Sequence, residues 1–230
     1  MKFFTGYEPF SNYTLLHPKY INKLDDIVKE KKEVLVDPGV HELKKRSEYS
    51  KVNKMHSLVG KLPDNCWISI DYPCDMNVKL TDLFIRRSID NNIRYASKRD
   101  YICTIQSKFL DWRHFIKKAE ELRPIWEQDF KMIGIGNMCK VTYPNRFTDK
   151  VTRYIIEEMR GKRVHFYGLS MPNIRRYARY LESSVELSVD QMKWTRPRNK
   201  KLPSRTCRQD ERDIYFLNYV RSIVKVKVEW

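Results

Sequence analysis

The sequence has no long apolar run. Its most apolar short stretches, Met132 to Ile135 and Val34 to Val36, fall far below the roughly 20 residues that cross a bilayer as a helix. No membrane span, and no membrane partner, is expected. Glycine is scarce, at 7 residues in 230, and neither the G-x-G-x-x-G nor the G-x-x-x-x-G-K-[ST] phosphate loop occurs, so the usual nucleotide-binding turns of open α/β sheets are missing. The five cysteines, Cys66, Cys74, Cys103, Cys139 and Cys207, are odd in number and form no C-x-x-C pair. A disulfide framework and a local zinc knuckle are therefore not indicated. His17, His41, His56, His114 and His165 show no H-x-x-x-H ligand spacing, and no metal or other cofactor is expected. The segment Met1-Lys2-Phe3-Phe4-Thr5-Gly6 lacks the apolar core and cleavage site of a secretory leader, which gives a cytoplasmic expectation.

What the chain has in excess is positive charge. Lys plus Arg number 45 against 29 Asp plus Glu, a formal net charge of +16. A hydrophobic content of 41% with 13% aromatics is enough to fill a core, so the basic character belongs to a folded domain and not to a disordered tail. Such a field attracts polyanions, of which nucleic acid is the commonest in a cytoplasm.

Eight short β-type runs are expected: Lys2–Thr5, Glu33–Asp37, Cys66–Asp71, Tyr101–Gln106, Met132–Gly136, Val164–Gly168, Val185–Asp190 and Ile223–Glu229. Helical patterns lie between most of them, as at Leu110–Trp126, Asp149–Arg160 and Pro172–Ser183. Successive strand ends are 34, 35, 30 and 32 residues apart from Asp37 to Gly168, the length of a βα repeat. This order predicts one α/β domain over residues 1–230, a minimal (β/α)8 TIM-like barrel, with a doubly wound open sheet as the competing arrangement.

In a barrel the chemistry sits at the C-terminal strand ends. The polar residues there are Asp37, Asp71, Gln106, Asn137 and Asp190. Taken alone, each such Asp is read first as a cap on the following turn. The set reads differently, because two carboxylates across a strand-end face can divide glycosyl transfer into nucleophile and acid/base. Gln106 offers a paired donor and acceptor to a planar heterocycle. The run Gly134-Ile135-Gly136-Asn137 would expose backbone to a flat ligand, and Tyr72 and Tyr167 could stack on a base. Beyond Asp190 the chain is densely basic, with Lys193, Arg196, Arg198, Lys200 and Lys201 placed to grip phosphates beside the chemistry. Arg175, Arg176 and Arg179 form a second basic face at helical spacing.

In order, Ile70-Asp71-Tyr72-Pro73, Thr104-Ile105-Gln106, Ile133-Gly134-Ile135-Gly136-Asn137-Met138, His165-Phe166-Tyr167-Gly168 and Ser188-Val189-Asp190 with Thr195-Arg196-Pro197 resemble the motifs of tRNA-guanine transglycosylases. They are closer to the short viral and bacterial relatives that act on DNA, the 7-deazaguanine DNA transglycosylases of the DpdA family. The resemblance spans roughly residues 33–200. It implies that Asp190 is the nucleophile at C1′ of the target nucleoside and that Asp71 contacts the base and removes a proton from the incoming one. Gln106 and Gly136 would read the purine edge, with Asn137, Gly168, Tyr72 and Asp37 around it. Tyr167 stands where the tRNA enzymes usually stack a Met, and Asp37-Pro38-Gly39 only loosely follows the family's strand-end pattern. The zinc site that follows the nucleophile in tRNA enzymes is not matched, since Cys207 alone lies in that region, and no appended RNA-binding domain is expected. These departures favour DNA over tRNA as the nucleic-acid partner, with a free 7-deazaguanine, such as 7-cyano-7-deazaguanine, as the second substrate. A tRNA-acting enzyme and a non-catalytic nucleic-acid-binding barrel are the alternatives.

Overall fold

The computed structural model describes residues 1–6, 11–37, 52, 54–72, 81–128, 130–139 and 141–190. Every strand pairing among them is parallel. A five-stranded sheet has the order β1-β8-β7-β6-β5, built from β1 (Lys2–Phe4), β5 (Cys103–Ile105), β6 (Ile133–Ile135), β7 (Arg163–Phe166) and β8 (Glu186–Asp190). A three-stranded sheet has the order β2-β3-β4, built from β2 (Tyr13–Leu16), β3 (Glu33–Val36) and β4 (Cys66–Ile68). The ladder is interrupted between them, so the strands make two sheets and not one closed one. Single parallel bridges, Thr5 to Thr14 and Ile68 to Tyr101, link β1 to β2 and β4 to the approach of β5. At the second of these, Ile68 N donates to Asp100 O at 2.8 Å and Ile102 N to Ile68 O at 2.9 Å.

Five helices are described: α1 (Leu24–Glu30), α2 (Thr81–Arg94), α3 (Trp112–Trp126), α4 (Arg146–Glu158) and α5 (Met171–Glu182). Their starts follow from caps. The Asp111 carboxylate accepts from His114 N to open α3, and Asn145 and Thr148 form a reciprocal capping box on α4. These caps move the expected starts at Leu110 and Asp149 by a few residues. No described helix is long and apolar enough to cross a membrane.

Seven of the eight expected strands recur within their predicted segments or overlap them, and the eighth, Ile223–Glu229, lies outside the described residues. The structure also has β2, Tyr-Thr-Leu-Leu, a strand not among the eight expected. Four residues followed at once by His17 and a 3-10 turn over Pro18–Lys23 leave too short a period-2 signal to stand out.

Strand alternation divides the core. Val34 and Val36 of β3, Ile133 and Ile135 of β6, Val164 and Phe166 of β7, and Leu187 and Val189 of β8 pack in the layer shared with the helices. The residues between them face the other way. There a second cluster joins Phe4, Tyr13, Leu35, Trp67, Ile102 and Met132, drawn from both sheets, with Tyr167 packed against it. At the N-terminal strand ends the sheets are also joined by charge. Glu33 of β3 accepts from Lys2 of β1 at 2.7 Å and pairs with Arg163 of β7, whose guanidinium lies 4.6 Å from the centre of the Trp67 ring.

Candidate active site

The face that carries this second cluster also carries, toward the C-terminal strand ends, most of the chemistry. Counting in twos along each strand gives Ser69 and Asp71 after Trp67, Thr104 and Gln106 after Ile102, Gly134 and Gly136 after Met132, His165 and Tyr167 on β7, and Ser188 and Asp190 on β8. Parallel register sets Thr104 beside Gly134, Gly134 beside His165 and His165 beside Ser188. One period-2 rule therefore gathers the set.

Asp190 is buried at the end of β8. Its Oδ1 accepts from Gly168 N at 2.9 Å and from His165 Nε2 at 3.1 Å. Because a carboxylate oxygen can only accept, the proton of that contact sits on Nε2. His165 is fully buried, and its Nδ1 lies 3.0 Å from Ser188 Oγ, which in turn is 3.3 Å from the Val164 carbonyl. Among the described residues, Asp190 Oδ2 takes no hydrogen bond. One oxygen is thus held while the other is left to act.

Asp71 is gripped on both oxygens. Ser69 Oγ donates to Oδ1 at 3.0 Å and Gln106 Nε2 donates to Oδ2 at 2.7 Å. Gln106 Oε1 accepts from Ser88 Oγ at 3.0 Å, which fixes the orientation of the amide. Helix α2 supplies this support from three buried polar residues on one stripe: Ser88, Asn91, which donates to the Ile70 carbonyl at 2.9 Å, and Asn92, which exchanges hydrogen bonds with the Thr104 backbone. Sequence reasoning missed these supports. The signal was available, since 88, 91 and 92 follow i, i+3, i+4 spacing on the face that also buries Phe84 and Ile85.

Tyr167 stands between the two carboxylates. Burial, and then the charge of Asp71, push its phenol well above the ordinary value; hydrogen bonds to Ser69 and Thr104 oppose the shift, and the Asp190 charge adds to it. Its ring meets His165 edge-on at 4.8 Å. The ring needs Gly134, where a Cβ would fall 2.6 Å from Tyr167 Cε2. At Gly136 a Cβ would fall 2.7 Å from Gln106 Cγ. The close approaches at these glycines are thus made by the protein's own atoms, Tyr167 and Thr104 at Gly134 and Gln106 and the Ile105 carbonyl at Gly136.

The other expected residues fall as follows. Asn137 takes a positive φ of 63° and its Oδ1 accepts from Ser107 N at 3.1 Å, tying the loop after β6 to the loop after β5. Gly168, with φ of 71°, presents its N–H to Asp190. Tyr72 is buried on the opposite face from Asp71, stacked on Phe84 of α2 with ring centres 5.7 Å apart. It is a packing residue in this arrangement. Asp37 follows β3, its N–H donating to the Leu16 carbonyl. Arg175, Arg176 and Arg179 are exposed on α5, with Arg176 3.5 Å from Asp149. Lys193, Arg196, Arg198, Lys200 and Lys201 lie outside the described residues. Among the described residues, no three His, Cys, Asp or Glu side chains gather as a metal-holding group.

Neither a protein-family model nor a curated protein matches the chain in sequence.

Proposed function

We propose that the protein is a glycosyl-transferring enzyme whose two working carboxylates are Asp190 and Asp71. More particularly, it exchanges guanine in DNA for a free 7-deazaguanine. The observation that carries this reading is the contrast between the two. Asp190 is tethered through one oxygen by a backbone N–H and a buried histidine, while Asp71 is held on both oxygens by groups that include the amide of Gln106. The first suits a nucleophile and the second an oriented acid/base.

In the first half of the reaction Asp190 Oδ2 bonds to C1′ as the C1′–N9 bond breaks, and guanine leaves with the electron pair on N9 and takes a proton there from solvent water, to which Asp71 returns one in the second half. In the second half Asp71 accepts the N9 proton of the incoming base, whose N9 bonds to C1′ as the ester to Asp190 breaks. Gly168 N and His165 keep the returning carboxylate charge stabilised. The reading includes closure of the strands into an eight-stranded barrel. It is supported by the interior cluster drawn from both sheets and by the single bridges at their two junctions. Reaching C1′ requires the nucleotide to be flipped from a duplex or presented single-stranded.

The test is incubation of the protein with DNA and 7-cyano-7-deazaguanine, followed by digestion and nucleoside mass spectrometry. The modified deoxynucleoside is the expected product. Modification of tRNA in its place would move the substrate to RNA. Absence of both products, together with no calorimetric binding of free guanine, would leave a binding module.

A further inference from the structure

Several cations on the outer helix faces are paired with carboxylates: Arg123 with Glu120 and Glu158, Arg153 with Glu157, and Lys118 with Glu121. Three that have no such partner stand together. Arg113 at the start of α3 and Arg146 and Lys150 at the start of α4 all crowd one indole, at 5.3, 6.0 and 5.6 Å from the Trp112 ring. None of the three has a carboxylate partner among the described residues. The quadrupole of Trp112 offsets part of their mutual repulsion, and an external polyanion would offset the rest.

The place of this cluster matters. Helices that follow parallel strands begin at the strands' C-terminal ends, so the first turns of α3 and α4 stand on the same rim as Gln106 and Gly136. The loops leading into them are joined by the hydrogen bond from Ser107 N to Asn137, and each exposes a large aromatic ring, Phe109 at 43% and Tyr143 at 69% exposure. Cations interleaved with exposed aromatic rings are what a single nucleic-acid strand requires, phosphates on the first and bases stacked on the second.

We propose that this rim binds single-stranded DNA, with Arg113, Arg146 and Lys150 holding phosphates and Phe109 and Tyr143 stacking bases next to the target nucleotide. The choice of DNA rests on the base-exchange reading above.

The experiment titrates the full chain with a fluorescein-labelled, mixed-sequence 20-nucleotide DNA strand over a range of salt, with an RNA strand of the same sequence in parallel. Combined Arg113→Ala, Arg146→Ala and Lys150→Ala should flatten the log–log salt slope by about 2, at about 0.7 per lost contact on a single strand. Phe109→Ala and Tyr143→Ala should each weaken binding about 5- to 150-fold. Arg153→Ala and Lys118→Ala should leave it within about twofold. If the triple variant melts early, the two aromatic variants carry the test. An unchanged slope and unchanged affinity in these variants overturn the proposal, as does tenfold tighter binding of the RNA strand or no binding of either strand. Base exchange by a parent protein whose variants bind normally removes this surface and keeps the reaction. Loss of binding in the variants of a protein that exchanges nothing keeps the surface and removes the reaction.

Discussion

His165 and Asp190 lie on neighbouring parallel strands and share a 3.1 Å hydrogen bond from Nε2 to Oδ1, with Ser188 on the far side of the imidazole at 3.0 Å. Two residues along β8 from Ser188 is Asp190 itself, so one strand both supplies the carboxylate and props the histidine that orients it.

His165 acts through Asp190 and so serves to position it. His165→Phe removes one donor from the carboxylate and should cost about 1.5–3 kcal/mol, or about 10- to 150-fold in kcat for base exchange. KM for the free base should stay within about threefold. Titration of active enzyme by the covalent adduct, with kcat expressed per active site, separates the two, because a merely structural loss would leave that corrected kcat unchanged.

Gly134 and Tyr167 are a matched pair. Gly134→Ala puts a Cβ 2.6 Å from the tyrosine ring, an overpacking expected to cost about 1–3 kcal/mol. Adding Tyr167→Ala should recover part of that cost. Urea unfolding of the single and double variants measures the coupling, and strict additivity would mean that the two side chains do not meet.

Alkaline stability follows from two buried phenols. Tyr101 and Tyr167 both titrate above the ordinary value because burial disfavours the phenolate. Unfolding releases them to titrate near 10, so the unfolded chain binds fewer protons above that pH. Stability is then complete below about pH 10 and falls as pH rises toward the folded-state values. Melting temperatures from pH 8 to 11 should show this fall, and Tyr101→Phe should make it shallower.

Two cysteines should be slow toward thiol reagents in the folded protein. Burial, with the charges of Asp100 and Asp25, pushes the Cys66 thiol up to about 12, and burial raises Cys103 further. Mapping of dithionitrobenzoate adducts should find both unlabelled until denaturant is added.

Arg163 joins the sheets at the end away from the carboxylates, pairing with Glu33 and covering Trp67. Arg163→Met should lower stability by about 1.5–3 kcal/mol and leave kcat for exchange unchanged. Denaturation and kinetics on the same sample check both halves.

Much of the site was legible because a period of two is rigid. Once Ile70-Asp71, Ile105-Gln106 and Val189-Asp190 are recognised as strand ends, their polar residues share the inner face with no further information. Tyr72 shows the converse, since its neighbour Asp71 faces inward and Tyr72 must face the helices, where it stacks on Phe84. Tertiary partners were less legible. Neither the pairing of His165 with Asp190 nor the Ser88 contact with Gln106 is local in sequence, at separations of 25 and 18 residues, and each depends on register or helix packing that the sequence does not state. Strand β2 was lost for a different reason, its four residues being too few to show alternation.

The most direct measurement is a search for the covalent intermediate. The protein is incubated with a guanine-containing DNA strand without incoming base, quenched in acid, digested with protease and examined by mass spectrometry. A sugar-linked DNA adduct on the peptide that holds Asp190, absent in Asp190→Asn, is the predicted result. An adduct on another residue, or base exchange by Asp190→Asn at the parental rate, would contradict the account.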